Sequence, residues 1–234
     1  MRKLVPGAFF FVAMVGCVGA QTAIAQTALT YQKPPAAIEQ LLEAPPTPIV
    51  LLSPDRKTML VEQPATFPTI ADVAQPRYRL AGIRFNPSSN GPSVERYDVA
   101  LHLQTVDGTK QTAPRTITGL PAKLKAVDAM WSPDSKQAAF VAHATAPATG
   151  LELWVIDVAT SHAHRAGTVK LNAVLGPPCQ WLPDGASLLC KIVPANRGAA
   201  PKVSDIPAGP DVEESLGKVS PAPTYEDMLK TTTD

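Results

Sequence analysis

Trp131-Ser132-Pro133-Asp134-Ser135 runs straight into the apolar stretch Ala138-Ala139-Phe140-Val141-Ala142, and the chain uses that phrase more than once. Trp181-Leu182-Pro183-Asp184-Gly185 precedes Ser187-Leu188-Leu189-Cys190, and a fainter copy, Leu52-Ser53-Pro54-Asp55-Arg56, precedes Met59-Leu60-Val61. Proline presets φ for the first corner of a tight turn, and aspartate or glycine tolerates the next. The flanking aliphatic and aromatic residues suit half-buried strands. A strand, a Pro-Asp turn and a second strand, recurring along one chain, is the mark of a repeat architecture. It predicts an all-β fold built of β-propeller blades.

The start of the chain reads as an export signal. Arg2 and Lys3 precede an uncharged apolar run from Leu4 to Val18, and Ala23-Ile24-Ala25 supplies a small-x-small cleavage site before Gln26. The run is shorter than the roughly 20 residues a membrane span requires. A signal peptide over residues 1–25, cleaved after Ala25, places the mature chain in the periplasm or outside the cell, with no membrane attachment once the signal is gone. Losing Arg2 and Lys3 turns the formal charge of +1 into −1. A near-neutral chain without a basic run offers no electrostatic hold for nucleic acid. Proline, 25 of 234 residues, stands at about twice its usual share of roughly 5%, which fits a chain dominated by turns.

Cys179 and Cys190 are the cysteines of the mature chain, and they flank Asp184-Gly185 symmetrically. With those two residues as a hairpin loop, 179 faces 190 across the strand pair. A cross-strand disulfide and a pair of small buried hydrophobes both fit this placement. Either role is structural.

Residues 26–48 read as an N-terminal arm containing a short helix, Ala36 to Glu43, stopped by Pro45-Pro46. Blades follow over 49–193. A strand pair spans Ile49 to Val61, a second short helix spans Thr69 to Gln75, and Leu80 to Arg96 is a polar, turn-rich stretch. Tyr97, Val99, Leu101 and Leu103 alternate with Asp98, Ala100, His102 and Gln104, so the first set is expected to face the core. Ala126 to Thr168 holds the four strands of one blade. Residues 194–223 are rich in Pro, Gly and Ala and read as a loop or linker, and 224–234 opens a further element with Thr224 as a helix N-cap. A propeller closes with about four to eight blades of about 40–50 residues each. This length gives about three to four, so the expectation is a partial, unclosed propeller with short peripheral helices.

Catalytic motifs are scarce. The chain has no Gly-x-Ser-x-Gly elbow, phosphate loop, dinucleotide fingerprint or Cys-x-x-Cys pair, and no cofactor is expected. His162 and His164 would share a strand face but lack a third ligand nearby in sequence, so no metal site is assigned. Asp55, Asp134 and Asp184 occupy turn positions, and Trp131, Trp154 and Trp181 recur at core strand positions. Arg84 and Arg197 lie in irregular stretches with little charge around them, where a guanidinium can take a carboxylate bidentately. They are the candidate substrate-binding residues.

Several phrases in fixed order carry a resemblance: Ala44-Pro45-Pro46 with Leu52-Ser53-Pro54-Asp55, Leu80-Ala81-Gly82-Ile83-Arg84, Trp131-Ser132-Pro133-Asp134, Pro194-Ala195-Asn196-Arg197-Gly198, Ile206-Pro207-Ala208-Gly209-Pro210 and Thr224-Tyr225-Glu226-Asp227-Met228-Leu229. Together they resemble the N-terminal portion of glutamyl endopeptidase-type members of the prolyl oligopeptidase family. The resemblance implies a propeller that caps a C-terminal α/β-hydrolase domain with a Ser-Asp-His triad, in an exported serine peptidase acting on oligopeptides. None of the triad has a counterpart in these residues. The chain alone is therefore expected to be inactive, meeting peptide substrate only together with such a domain. The alternative is a free-standing periplasmic propeller-like module that binds a peptide or protein. The sequence leaves the oligomeric state open.

Overall fold

The structure is a computed structural model that describes residues 32–93, 96–108, 110–146, 148–198 and 216–217. The expected signal peptide and the C-terminal element at 224–234 lie outside the described residues, as does most of 194–223. The chain divides into two compact units, Met1–Leu42 and Glu43–Asp234. Helix α1, Ala36–Glu43, spans the predicted range, and Lys33 Nζ lies 2.7 Å from Glu39 Oε1. Its apolar residues Ile38, Leu41 and Leu42 are exposed.

In the second unit β1 (Ile49–Leu52) and β2 (Thr58–Pro64) form the first hairpin, followed by a one-turn helix α2 (Ile70–Val73). The polar stretch that follows is not bare loop. It builds a separate three-stranded sheet from β3 (Tyr78–Leu80), β4 (Ile83–Asn86) and β5 (Gly91–Pro92). Ala81 (φ 48°) and Gly82 (φ 79°) make the tight β3–β4 turn; only a short aromatic pair, Tyr78 edge-on to Phe85, marks it in the sequence.

The chain then returns to the main sheet as β6 (Asp98–Asp107), with β7 (Lys110–Gln111) and β8 (Arg115–Thr116) pairing back onto it. Strands β9 (Ala126–Trp131), β10 (Gln137–His143), β11 (Leu151–Asp157) and β12 (His162–Arg165) form an antiparallel meander. A further hairpin, β13 (Cys179–Trp181) and β14 (Leu188–Cys190), stands as its own two-stranded sheet. The fold is all-β with short helices. Two four-stranded antiparallel groups, β1-β2-β6-β8 and β9-β10-β11-β12, are joined along the ladder by one residue pair, Asp98 with Ala126. Strand β10 is buried on both faces, and apolar clusters lie on either side of it. One gathers Leu60, Leu103, Phe140 and Ile156; the other gathers Val141, Leu151, Val155 and Leu171.

The three Pro-Asp turns repeat bond for bond. Arg56, Ser135 and Gly185 each donate their amide to the carbonyl three residues back, on Ser53, Ser132 and Leu182, at 2.8, 3.0 and 3.0 Å. The aspartate then accepts a backbone amide two residues on, from Lys57, Lys136 or Ala186, at 3.0, 3.1 and 2.9 Å. Arg56, Ser135 and Gly185 are all left-handed, with φ of 61°, 62° and 67°. The loop is thus longer than the two residues Asp184-Gly185, yet it keeps the same register, with Cys179 opposite Cys190. Their sulfurs are bonded. Neighbouring turns also touch one another: Asp55 N donates to Ser135 Oγ at 3.0 Å, and Trp131 Nε1 donates to the Leu51 carbonyl at 2.9 Å.

One expected alternation fails. The β2–β6 register slips between Gln63 and Pro64, where Pro64 pairs with Asp98. Proline has no amide to donate to the ladder, so pairing shifts by a residue and a bulge forms. Val99 is turned outward, 46% exposed, and Asp98 inward, 9% exposed. There its carboxyl shares a hydrogen bond with that of Glu62, which is 6% exposed. Burial pushes the Glu62 carboxyl up, and the neighbouring Asp98 charge adds to this, to about 7.

Candidate functional site

A cavity of about 560 Å³ opens at the end of β10 farthest from its Pro-Asp turn. The turn precedes Gln137, and His143, at the other end of the strand, lines the cavity. Six residues of strand at about 3.3 Å each put about 20 Å between them. The walls come from α2, the loop between β4 and β5, the entry to β6, the segment before β9 and the loop after β10.

Asp72 is one of its lining residues. The sequence Thr69-x-x-Asp72 forms a capping box: Asp72 N donates to Thr69 Oγ1 at 3.2 Å, and Thr69 N donates to Asp72 Oδ2 at 2.9 Å. The same carboxylate accepts Tyr97 Oη–H at 2.9 Å and pairs through Oδ1 with Lys125 Nζ. Lys125 also lies over the Tyr97 ring, 4.6 Å from its centroid, a cation–π contact. Residues 25 and 53 positions from Asp72 therefore converge on it. Partial burial opposes ionisation of Asp72, but the donors Lys125, Thr69 and Tyr97 outweigh it and hold the carboxyl well below its usual range. Burial raises the Tyr97 phenol, and its bond to Asp72 raises it further.

The remaining lining is rich in donors. Ser88, Ser93, Thr145 and Thr149 face the cavity, and their hydroxyls make no hydrogen bond among the described residues. Ser89 Oγ accepts the Gly91 amide at 3.2 Å, which leaves its proton free to donate. Lys123 stands exposed at the rim and forms no ion pair among the described residues. The described lining thus carries two ammonium groups, one carboxylate already engaged, and His143.

The two arginines singled out from sequence do not line this cavity. Arg197 Nη1 donates to Asn90 Oδ1 at 2.6 Å, reaching the loop that carries Ser88 and Ser89. Arg84 lies on β4 opposite Arg79, and its carbonyl accepts the amide of the lining residue Ser93 at 3.1 Å. His162 and His164 are exposed on β12, with His162 Nδ1 3.1 Å from Thr118 Oγ1. Among the described residues no group of three or more His, Cys, Asp or Glu is placed to hold a metal ion. The sequence places Tyr97 on the core face of its strand, where it is buried, and singles out neither Asp72 nor Lys125. The capping box is the one local signal that pointed to Asp72, and nothing short of the fold pairs it with Lys125.

No protein-family model matches the chain. It is 28% identical over 209 residues to an Oryza sativa subsp. japonica protein described as "Probable glutamyl endopeptidase, chloroplastic". It is 31% identical over 208 residues to an Arabidopsis thaliana protein of the same description. Each match covers 86% of this chain, and 22% and 21% of the two relatives. The chain thus spans about a fifth of the length of the curated relatives it matches. Its similarity is to peptidases.

Proposed function

We propose that this chain is the non-catalytic, substrate-admitting β-domain of a serine peptidase of the glutamyl endopeptidase type, within the prolyl oligopeptidase family. The observation that carries the reading is the extent of the match: 86% of the chain aligns with proteins described as glutamyl endopeptidases. Strand–turn–strand units recur along the chain, their left-handed corners in register, as expected of propeller blades. In this reading the blades cap a hydrolase domain and admit short or unfolded peptides. The hydrolase domain supplies the nucleophilic serine, its histidine base and the oxyanion donors. The chain is exported, with cleavage after Ala25, and works in the periplasm or outside the cell.

The test combines the genomic frame with activity. The DNA after the Asp234 codon is expected to encode, in frame or after one frameshift, a Gly-x-Ser-x-Gly elbow. The joined product is expected to hydrolyse fluorogenic oligopeptides and to be blocked by a serine-directed phosphonate, while residues 26–234 alone leave them intact. Hydrolysis by residues 26–234 alone refutes the reading. So does a joined locus that encodes no hydrolase.

A further inference from the structure

The two four-stranded groups of the main sheet meet along a narrow seam. One ladder pair, Asp98 with Ala126, crosses it, and near the Pro-Asp turns it is crossed again by Asp55 N to Ser135 Oγ and by Trp131 Nε1 to the Leu51 carbonyl. Asp98 stands in the bulge opposite Pro64, which has no amide to give the ladder. On the same face Glu62 lies opposite Leu101, and its carboxyl is hydrogen-bonded to that of Asp98. Such a bond needs a proton, because two ionised carboxylates have only acceptors to offer each other. Both residues are more than nine-tenths buried, and Glu62 Oε1 has no partner.

The charge acting on Glu62 among the described residues is that of Asp98. β1, on the other side of β2, has no ionisable side chain. His102 of β6 pairs with Val61 and so points to the face opposite Glu62. Arg115 of β8 gives Nη1 to the Val158 carbonyl. Lys125, just before β9, is bound to Asp72, which also takes the Tyr97 hydroxyl. His143, at the end of β10, lines the cavity. Asp128 of β9 has a partner of its own and is itself acidic. A second negative charge on the Glu62–Asp98 pair is thus left uncompensated, at the point where the two groups share one ladder pair.

We infer that Glu62 and Asp98 are a proton-operated latch on this seam. With one proton shared between them the latch is closed. Loss of that proton to solvent frees Asp98 to turn towards water about the bulge. The Asp98–Ala126 pair then parts, while each four-stranded group keeps its own strands. The proton is bound in the closed state and released in the open one, so the seam is tight in mild acid and loosens as pH rises. The device rests on the sheet alone, independently of the peptidase reading.

Hydrogen exchange of the 15N-labelled full chain, expressed as protection factors at half-unit steps of pH, tests the latch. Amides around Asp98 and Ala126 are expected to exchange through a partial opening, with protection at least about tenfold below that of Phe140 and Val141 in β10. Release of one proton should lower that protection about tenfold per pH unit from about pH 5, with a plateau above about 7. Glu62→Gln and the double variant Glu62→Gln/Asp98→Asn should each hold the seam closed and give a flat profile; using both guards against a folding failure in one. A flat profile in the wild type, seam amides that lose protection only together with β10, or a slope that survives in the variants each overturns the inference.

Discussion

Glu62→Gln is the perturbation whose outcome the structure fixes most tightly. Glu62 and Asp98 are buried together on the sheet, and one Glu62 oxygen, Oε1, has no hydrogen-bond partner. Two adjacent carboxylates in a dry site cannot both ionise cheaply, so the pair retains one proton to near neutrality. Burial first, and the Asp98 charge second, raise Glu62 from its ordinary 4.5 to about 7. The folded state thus binds a proton that the unfolded chain has already released in this interval, and stability falls as pH rises through it. A displacement of about 2.5 on the pH scale, at about 1.36 kcal/mol each, gives a loss of about 3 kcal/mol between pH 4.5 and 8. Glutamine keeps the shape and can donate permanently to Asp98, so the variant should lose little over the same interval. At pH 8 it should be the more stable protein. Urea unfolding followed by circular dichroism at half-unit steps of pH measures both slopes. Parallel profiles for the two proteins would refute the argument that this pair shares a proton.

Two further outcomes follow from other parts of the fold. Asp72→Ala removes a helix cap and the partner of Lys125 and Tyr97, and should cost about 2–3 kcal/mol in urea unfolding at pH 7. Because the carboxyl is held low in the folded state, this contribution is present above about pH 4 and disappears from the wild type as pH falls further, so the two proteins should converge in acid. Replacing both Cys179 and Cys190 by serine opens a loop closed across a sequence separation of 11. A cross-link over so short a loop is worth about 2–3 kcal/mol by chain entropy; an unchanged denaturation midpoint under oxidising conditions would rule that contribution out.

The elements legible in the sequence are those fixed by local chemistry. The helix Ala36–Glu43 ends at a proline pair, and the hairpins around Pro54, Pro133 and Pro183 are set by corner residues, so a few neighbours decide each of them. The β3–β5 sheet leaves no periodic signal in the sequence because its strands are two to four residues long, too short for alternation to register. At the start of β6 Val99 and Asp98 depart from the alternation because the bulge there is imposed by Pro64, a residue on another strand, whereas Leu101 and Leu103 are buried as the alternation predicts. For the same reason the cavity was invisible. Asp72, Tyr97 and Lys125 belong to three segments, each of which reads locally as a cap, a strand start and a loop.

The left-handed corner of the repeated turn is held by three different residues, Arg56, Ser135 and Gly185. Glycine is the least strained choice for that backbone, so the differences have to come from what each corner touches. Ser135 spends its hydroxyl on the amide of Asp55, in a different hairpin. At Gly185 an added Cβ would stand 3.3 Å from Asp134 Cγ, tight against the preceding copy. One corner must reach a neighbour and the other must yield to one. The repeats therefore carry addresses: exchanging the phrases between positions would preserve every hairpin and still break the order in which the hairpins dock.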